Sequence, residues 1–399
     1  MRKSTNNTLW KIGAVVIFAI AAFSYWFFLC PHVMAAREQA QLFLWNGDYL
    51  LSRLAVPGGL AQYLGECIVQ FFVNPAAGAC LYALLFVLAQ VLTLRLLRQA
   101  FPEKKGSLLF LLSFVPAIAL WGLALSPYVP MTFMVAVLLT MGLMALLPTR
   151  RTPRSILLLF LIPLSYWLLG PAAVLLLLCF PQWKMAVAGI VLLGVCVVAS
   201  SWLAPYPLRQ LARGIDYYWD DDYMSTKEEM EYDALARKGN WQKIIEKVRN
   251  IPPKSEACQH VATIAGWHMG LVAPQDLQEC LRPSSGVMKS QSDAFMMSEV
   301  YLLLGMANMS QRAAFEAMES TPNHNKSGRA LMRLSETALI TGQYDLARKY
   351  LSILDETLFY KNRAQSLRSL VDNPETISQH PSYKKLCDMY AKTEDMFFY

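Results

Sequence analysis

Residues 185–219, MAVAGIVLLGVCVVASSWLAPYPLRQLARGIDYYW, contain the point at which this chain changes character. Met185 to Leu203 is an unbroken apolar run. As a helix rising about 1.5 Å per residue it is long enough for the roughly 30 Å hydrocarbon core of a bilayer. Pro205, Pro207, Arg209 and Arg213 follow at once, and from there to Tyr399 the composition is that of soluble helices. Upstream lies a row of similar apolar runs with almost no charge inside them. The chain reads as a membrane-embedded half carrying a soluble half.

Working outward, Ile12 to Cys30, Cys67 to Leu97, Leu108 to Leu125 and Val129 to Leu147 join Met185 to Leu203 as spans. Two shorter runs, Ser155 to Leu169 and Pro171 to Phe180, are split by Gly170-Pro171, because proline removes a donor and clashes one turn back. They form either a short hairpin or one long broken helix, which gives six to seven spans. The first run exceeds the apolar core of a cleaved signal. Leu29 before Cys30 is also wrong for lipoprotein processing, so the run reads as an uncleaved anchor.

The net charge of +7 sits in the first half, where only Glu38, Asp48, Glu66 and Glu103 are acidic. Arg2, Lys3 and Lys11 precede the first span, Arg95, Arg98, Lys104 and Lys105 surround the next turn, and Arg150, Arg151 and Arg154 the one after. Short loops rich in Lys and Arg stay cytoplasmic, which places the N-terminus inside. Lys184 and seven crossings put the soluble half outside, in the periplasm; six crossings would put it inside, a side that Arg209 and Arg213 favour. No basic stripe recurs on the soluble half, so nucleic acid is not an expected partner.

The soluble half repeats itself. Gly239, Trp241, Ile244 and Val248 recur in spacing as Gly342, Tyr344, Ala347 and Leu351. Asn308, Ser310, Ala313 and Ala317 offer the same frame 34 residues before Gly342, and a fourth unit near Gly270 to Cys280 fits poorly. Glycine opens the turn, the aromatic packs on the preceding helix, and Ala347 lets two helices approach. The period and the pattern are those of a tetratricopeptide-like stack, in which each hairpin buries its apolar face on a neighbour; unrelated amphipathic helices of one bundle are the alternative. The fold expected is all-α: a polytopic transmembrane helical bundle, then a tetratricopeptide-like helical-repeat domain. The expected boundaries are 1–205 for the membrane domain with an interfacial loop at 33–66, 206–224 for an aromatic and acidic linker, 225–360 for the repeats and 361–399 for C-terminal helices.

In the linker, Asp216 to Tyr223, the aromatic residues suit lipid headgroups, and the acids either cap the next helix or gather a divalent cation. No glycine-turn calcium loop follows, and the scattered histidines His32, His260, His268, His324 and His380 hold no shared spacing for a metal. Neither a metal site nor a cofactor is expected. Cys258, Cys280 and Cys387 are an odd trio, with a Cys258–Cys280 bridge the one pairing left open.

Chemistry, if any, belongs in the loop at 33–66. Arg37, Glu38, Asp48, Arg53 and Glu66 stand there among apolar residues, and Phe43, Leu44, Leu50, Leu51 and Leu54 recur at helical spacing up to Pro57-Gly58-Gly59. The pattern predicts an amphipathic helix lying in the membrane interface. Carboxylates there can act as general bases, or they are simply its solvated side.

Four strings, REQAQLFLWNGDYLL (37–51), PGGLAQYLGECIVQFFVNPAAGA (57–79), AAFEAMEST (313–321) and RLSETALITGQYDLARKYL (333–351), resemble a family of bacterial polytopic membrane proteins of unknown function found in Gram-negative envelopes. The resemblance implies an inner-membrane location and brings no activity. A second resemblance is architectural: one span, a long outside loop with a carboxylate, paired spans and an outside soluble domain are similar to GT-C membrane glycosyltransferases. By position alone this implies Glu38 or Asp48 as catalytic base and Arg37 or Arg53 on the phosphate of a polyprenyl-phosphate donor. Three functions therefore remain: a scaffold of an envelope assembly whose repeats hold a protein partner, a sugar transferase or its inactive relic, and a transporter. Apart from charges at their ends, the spans lack the ionisable residues that ion-coupled transport normally needs.

Overall fold

The apolar runs of the first half become helices, and the breaks between them fall mostly at glycine, proline and asparagine. The computed structural model describes residues 2–103, 107–148, 151–219, 225–273, 276–277, 281, 288–321, 325–393 and 395. Lys104, Lys105, Arg150, the linker stretch Asp220 to Tyr223, Cys280 and His324 lie outside the described residues. Those described are helical or irregular, with no strand among them. The chain forms two compact units: Met1–Pro31 with Asn46–Asp220, and His32–Trp45 with Asp221–Tyr399. This corrects the expected loop at 33–66, whose first part is built into the second unit.

In the first unit α1 (Arg2–Ser24) continues as a π-helical turn, Tyr25–Leu29. The next helix, α2 (Pro31–Ala40), belongs from His32 onward to the second unit. Then come α3 (Gly47–Leu54), α4 (Gly59–Gln70), α5 (Pro75–Ala100), α6 (Ser107–Leu112), α7 (Phe114–Ala124), α8 (Met131–Leu146) and α9 (Arg151–Leu169). A 3-10 arm (Gly170–Cys179), α10 (Trp183–Leu203) and the short α11 (Leu208–Arg213) complete it. Five helical runs are long and apolar enough to cross a membrane: Leu9–Leu29, Pro75–Ala100, Ser107–Ala124, Pro153–Cys179 and Trp183–Leu203. Met131–Leu146 is shorter, and the run expected from Cys67 begins only at Pro75, because Asn74 caps a new helix there with its side chain. Residues 67–70 end α4 instead.

The stretch Pro153–Cys179 is helical throughout, yet it is folded back on itself. Leu158 and Ile162 on α9 share a core with Leu176 and Cys179 on the 3-10 arm. A Cβ placed on Gly189 would meet Leu177 at 2.8 Å and Ile162 at 3.2 Å, which a straight helix cannot bring together. The fold is at Gly170, whose φ of +74° suits glycine alone, followed by Pro171. Of the two forms left open by the sequence, the structure has the hairpin.

The ends of the helices alternate. At one end Trp26 stacks on Tyr82 at 4.0 Å, the Trp219 amide donates to Tyr128 O, Gly58 N donates to Trp167 O, and Tyr217 Oη donates to Leu169 O. At the other, Trp10 meets Phe110 edge-on at 5.0 Å and Gln99 donates to Ala145 O. The chain passes to the second unit after Pro31, returns at Asn46 and leaves again after Asp220, all near the first of these ends.

The second unit is a series of hairpins. It contains α12 (Lys227–Arg237), α13 (Trp241–Asn250), α14 (Glu256–His268), α15 (Gln291–Leu303), α16 (Ala307–Glu319), α17 (Gly328–Ile340), α18 (Tyr344–Leu354), α19 (Lys361–Asp372) and α20 (Pro381–Tyr390). A capping box opens α12: Glu229 N donates to Thr226 Oγ1 and Thr226 N to the Glu229 carboxylate. Four helices end in one turn, with a left-handed glycine at Gly239, Gly270, Gly305 or Gly342. In each, the residue after glycine donates back five positions: Asn240 to Leu235, Leu271 to Gly266, Met306 to Tyr301 and Gln343 to Ala338. Together with the bond from each glycine amide this is the Schellman arrangement, which satisfies carbonyls the helix leaves open. The third turn is therefore centred on Gly305 and Ala307, not on the Asn308 and Ser310 expected for it. The unit near Gly270, a poor match by sequence, has the same turn.

Candidate functional site

Glu38 is a core residue of the second unit. It is 1% exposed on α2. Tyr360 Oη donates to its Oε1 at 2.7 Å, and Arg237 Nη1 lies 3.3 Å from its Oε2. Burial, and then the Glu38 carboxylate, push the Tyr360 phenol far above its ordinary range, so it remains a donor. Its neighbour Gln39 accepts from Arg329 at 3.0 Å, and Arg329 is paired with Asp233 at 2.8 Å and lies over the Phe295 ring. Arg37 is also buried, 3% exposed. Further along, Leu42 joins the core with Leu302, Leu331 and Leu351, and the Trp45 amide donates to Glu356 O at 2.7 Å.

A second carboxylate of like construction lies in the first unit. Glu66 on α4 is fully buried. Its Oε2 accepts from Tyr49 Oη at 2.7 Å and Arg53 Nε at 3.0 Å; its Oε1 accepts from Gln62 at 3.0 Å and lies 2.8 Å from Arg53 Nη2. Gly65 makes this possible, since a Cβ there would come within 2.8 Å of Thr132 N where α4 packs on α8. Nearby, Asp216 is 2% exposed and accepts from Thr132 at 2.7 Å and from the Trp219 indole at 2.7 Å. Burial pushes the Glu66 carboxyl up to about 7, opposed by Arg53 and reinforced by Asp216. Beside it runs a crevice of about 200 Å³, lined by Pro57, Gly58, Gln62, Thr132, Asp216 and Tyr217 and too tight for a water molecule.

The residues expected to act together are thus divided: Arg37 and Glu38 belong to one unit, Asp48 and Arg53 to the other. Asp48 is exposed in the first turn of α3, where a negative charge suits the helix N-terminus. Arg53 grips Glu66 and stacks over the Tyr49 ring. Phe43 and Leu44 belong to the second unit, so α3, the helix expected to lie in the interface, keeps only Leu50, Leu51 and Leu54 of the expected apolar set. Among the hairpins of the second unit, Trp241 stacks on His268 of the next helix at 4.5 Å, Tyr344 packs at the edge of the core, and Ala347 is fully buried. Cys258 is a buried free thiol. Among the described residues no group of three or more His, Cys, Asp or Glu is placed to hold a metal.

Sequence reasoning gave Glu66 no role of its own and missed Tyr49 and Gln62, as well as the partners Arg237 and Tyr360; it placed Asp216 among linker acids that cap a helix or gather a cation, whereas it accepts from Thr132 and Trp219 inside the first unit. For Glu66 a signal was there: Gln62, Glu66 and Gln70 stand four apart, a polar stripe on an otherwise apolar helix. A family model described as a family of unknown function (DUF6057) matches residues 7–399. The chain belongs to the DUF6057 family. No match was found among curated proteins, and none among solved structures. Membership of DUF6057 covers both units, so the two buried Glu-Arg-Tyr clusters both lie within the family's matched length.

Proposed function

We propose that this DUF6057 member is a membrane-anchored scaffold of a bacterial envelope assembly, whose tetratricopeptide-like unit holds a protein partner on the periplasmic side of the inner membrane. The observation that carries the reading is the turn repeated at Gly239, Gly270, Gly305 and Gly342, with the same backbone bond at each. Stacked hairpins of this kind expose long surfaces suited to protein partners. The side is argued from charge. Lys11, Arg95, Arg98, Arg154 and Lys184 gather at the helix ends opposite those from which the chain passes to the second unit, and basic ends stay cytoplasmic. Counting α8 and both arms of the Gly170 hairpin as crossings gives seven, in keeping with that side.

A sugar-transferase reading has lost its first residues, since Glu38 is enclosed by Arg237 and Tyr360 and Asp48 is a helix-end surface residue. It stands second on Glu66, a buried carboxyl beside the crevice at Gly58 and Gly170, and it requires that crevice to open, since Glu66 too is enclosed, by Tyr49, Arg53 and Gln62. One experiment separates the two. Full-length protein and a variant with charge-reversed repeat surface, Lys243→Glu with Arg312→Glu, are purified from membranes beside a Glu66→Gln strain analysed for lipid-linked sugars. A scaffold predicts companions that vanish with the surface variant and an unchanged lipid profile. Accumulated lipid-linked sugar in Glu66→Gln, with no companion, would replace it by the transferase.

A further inference from the structure

Residues 32–45 form a short helix and an extended tail, buried in a unit whose remaining residues begin at Asp221. Met34 and Phe43 are fully buried, and Val33, Gln39, Ala40, Gln41 and Leu42 nearly so. The segment touches the first helix of one hairpin through Glu38 and Arg237, and the first helix of the last through Gln39 and Arg329. Those two helices are themselves joined by Asp233 and Arg329. The tail then ends on a backbone bond to Glu356. A peptide docked among the first helices of a repeat stack, with a carboxylate met by Arg and Tyr and apolar side chains in the core, has the construction of a bound ligand rather than of another repeat. No glycine turn joins it to the series; the chain simply enters and leaves.

We propose that the second unit is a peptide-binding module held in a self-liganded state, with residues 32–45 as resident ligand. Its partner protein presents a peptide of the same chemistry: a short helix with a glutamate where Glu38 stands, followed by an extended Gln-Leu-Phe stretch. This deepens the scaffold reading and rests on it for the existence of a partner. Covalent tethering gives the resident segment an effective concentration of about 1 mM, so a free peptide of roughly micromolar affinity faces about a thousandfold disadvantage until the segment is released.

The test uses full-length protein in detergent with protease sites placed between Pro31 and His32 and between Trp45 and Asn46, so that cutting frees the segment from both flanking helices, and a fluorescent synthetic peptide of residues 31–46 as probe. Uncut protein is expected to bind the probe at least a hundredfold more weakly than cut protein. A probe carrying Glu38→Gln should lose tenfold or more of its affinity for the cut form. Equal binding to cut and uncut protein would overturn the proposal, as would no binding to cut protein. Collapse of the second unit's cooperative melting on cutting would also overturn it, because the segment would then be a core element and not a ligand. No partner extract is used, so failure of this test leaves the co-purification result standing, and failure of co-purification leaves this one standing.

Discussion

Glu38 and Glu66 are near twins set in two different units. Each is at most 1% exposed, each meets an arginine, and each accepts from a tyrosine at 2.7 Å. They differ in where the partners come from. Tyr49, Arg53 and Gln62 all lie within 17 residues of Glu66, on the two helices that meet at Gly58-Gly59. Arg237 and Tyr360 stand 199 and 322 residues from Glu38. One cluster fastens a helical corner to itself; the other fastens the start of the chain into a unit made mostly of its end. The same chemistry does local work in one case and sets topology in the other.

The comparison is broken most directly at Glu38. Glu38→Ala leaves Arg237 and Tyr360 facing a void inside the unit, and removing one partner of a buried pair costs about 3–5 kcal/mol. Melting of the second unit, followed by limited proteolysis in detergent, should show the loss, with the first unit's melting unchanged. Glu66→Gln should cost less, about 1–3 kcal/mol, because glutamine fills the same space and keeps an oxygen that can accept from Tyr49 or Arg53, whereas alanine at 38 removes both acceptors. Its pH dependence sharpens the contrast. The Glu66 carboxyl is raised from 4.5 to about 7 by burial. Below the lower value both states are protonated; as pH climbs towards 7 the unfolded chain ionises first, and the folded state loses relative stability. The melting advantage of wild type over Glu66→Gln should therefore shrink between pH 5 and pH 7.5.

Gly342→Ala comes next, at about 1 kcal/mol. No atom stands near the added Cβ, so the cost is that of the left-handed backbone at φ +76° alone. Chemical denaturation read by circular dichroism measures it. Asp48→Asn should be the smallest, within about 0.5 kcal/mol, as expected of an exposed side chain. A large effect there would return Asp48 to the list of working residues.

Much of the fold was legible because it is written locally. Apolar runs announce helices, Asn74-Pro75 and Gly170-Pro171 announce their breaks, and Gly239 and Gly342 announce two of the four turns. The third turn was misplaced because Asn308 and Ser310 imitate the spacing while Gly305, three residues earlier, holds the left-handed backbone. The candidate site was far less legible. Phe43 and Leu44 look like an interfacial stripe continuous with Leu50 and Leu51, and nothing local reveals that the boundary between units runs through Trp45 and Asn46. Glu38 reads as a loop carboxylate because both of its partners are remote in sequence, which periodicity cannot report.

Hydrogen–deuterium exchange of the intact protein tests the central claim, that residues 32–45 belong to the second unit. Amides of 34–43 should be protected to a degree comparable with those of α12 and α17, and Arg237→Ala should release 34–43 while α17 and α4 keep their protection. If 34–43 exchange with α3 and α4 and ignore Arg237→Ala, the segment is a membrane-side loop, and the account of Glu38 given above is wrong.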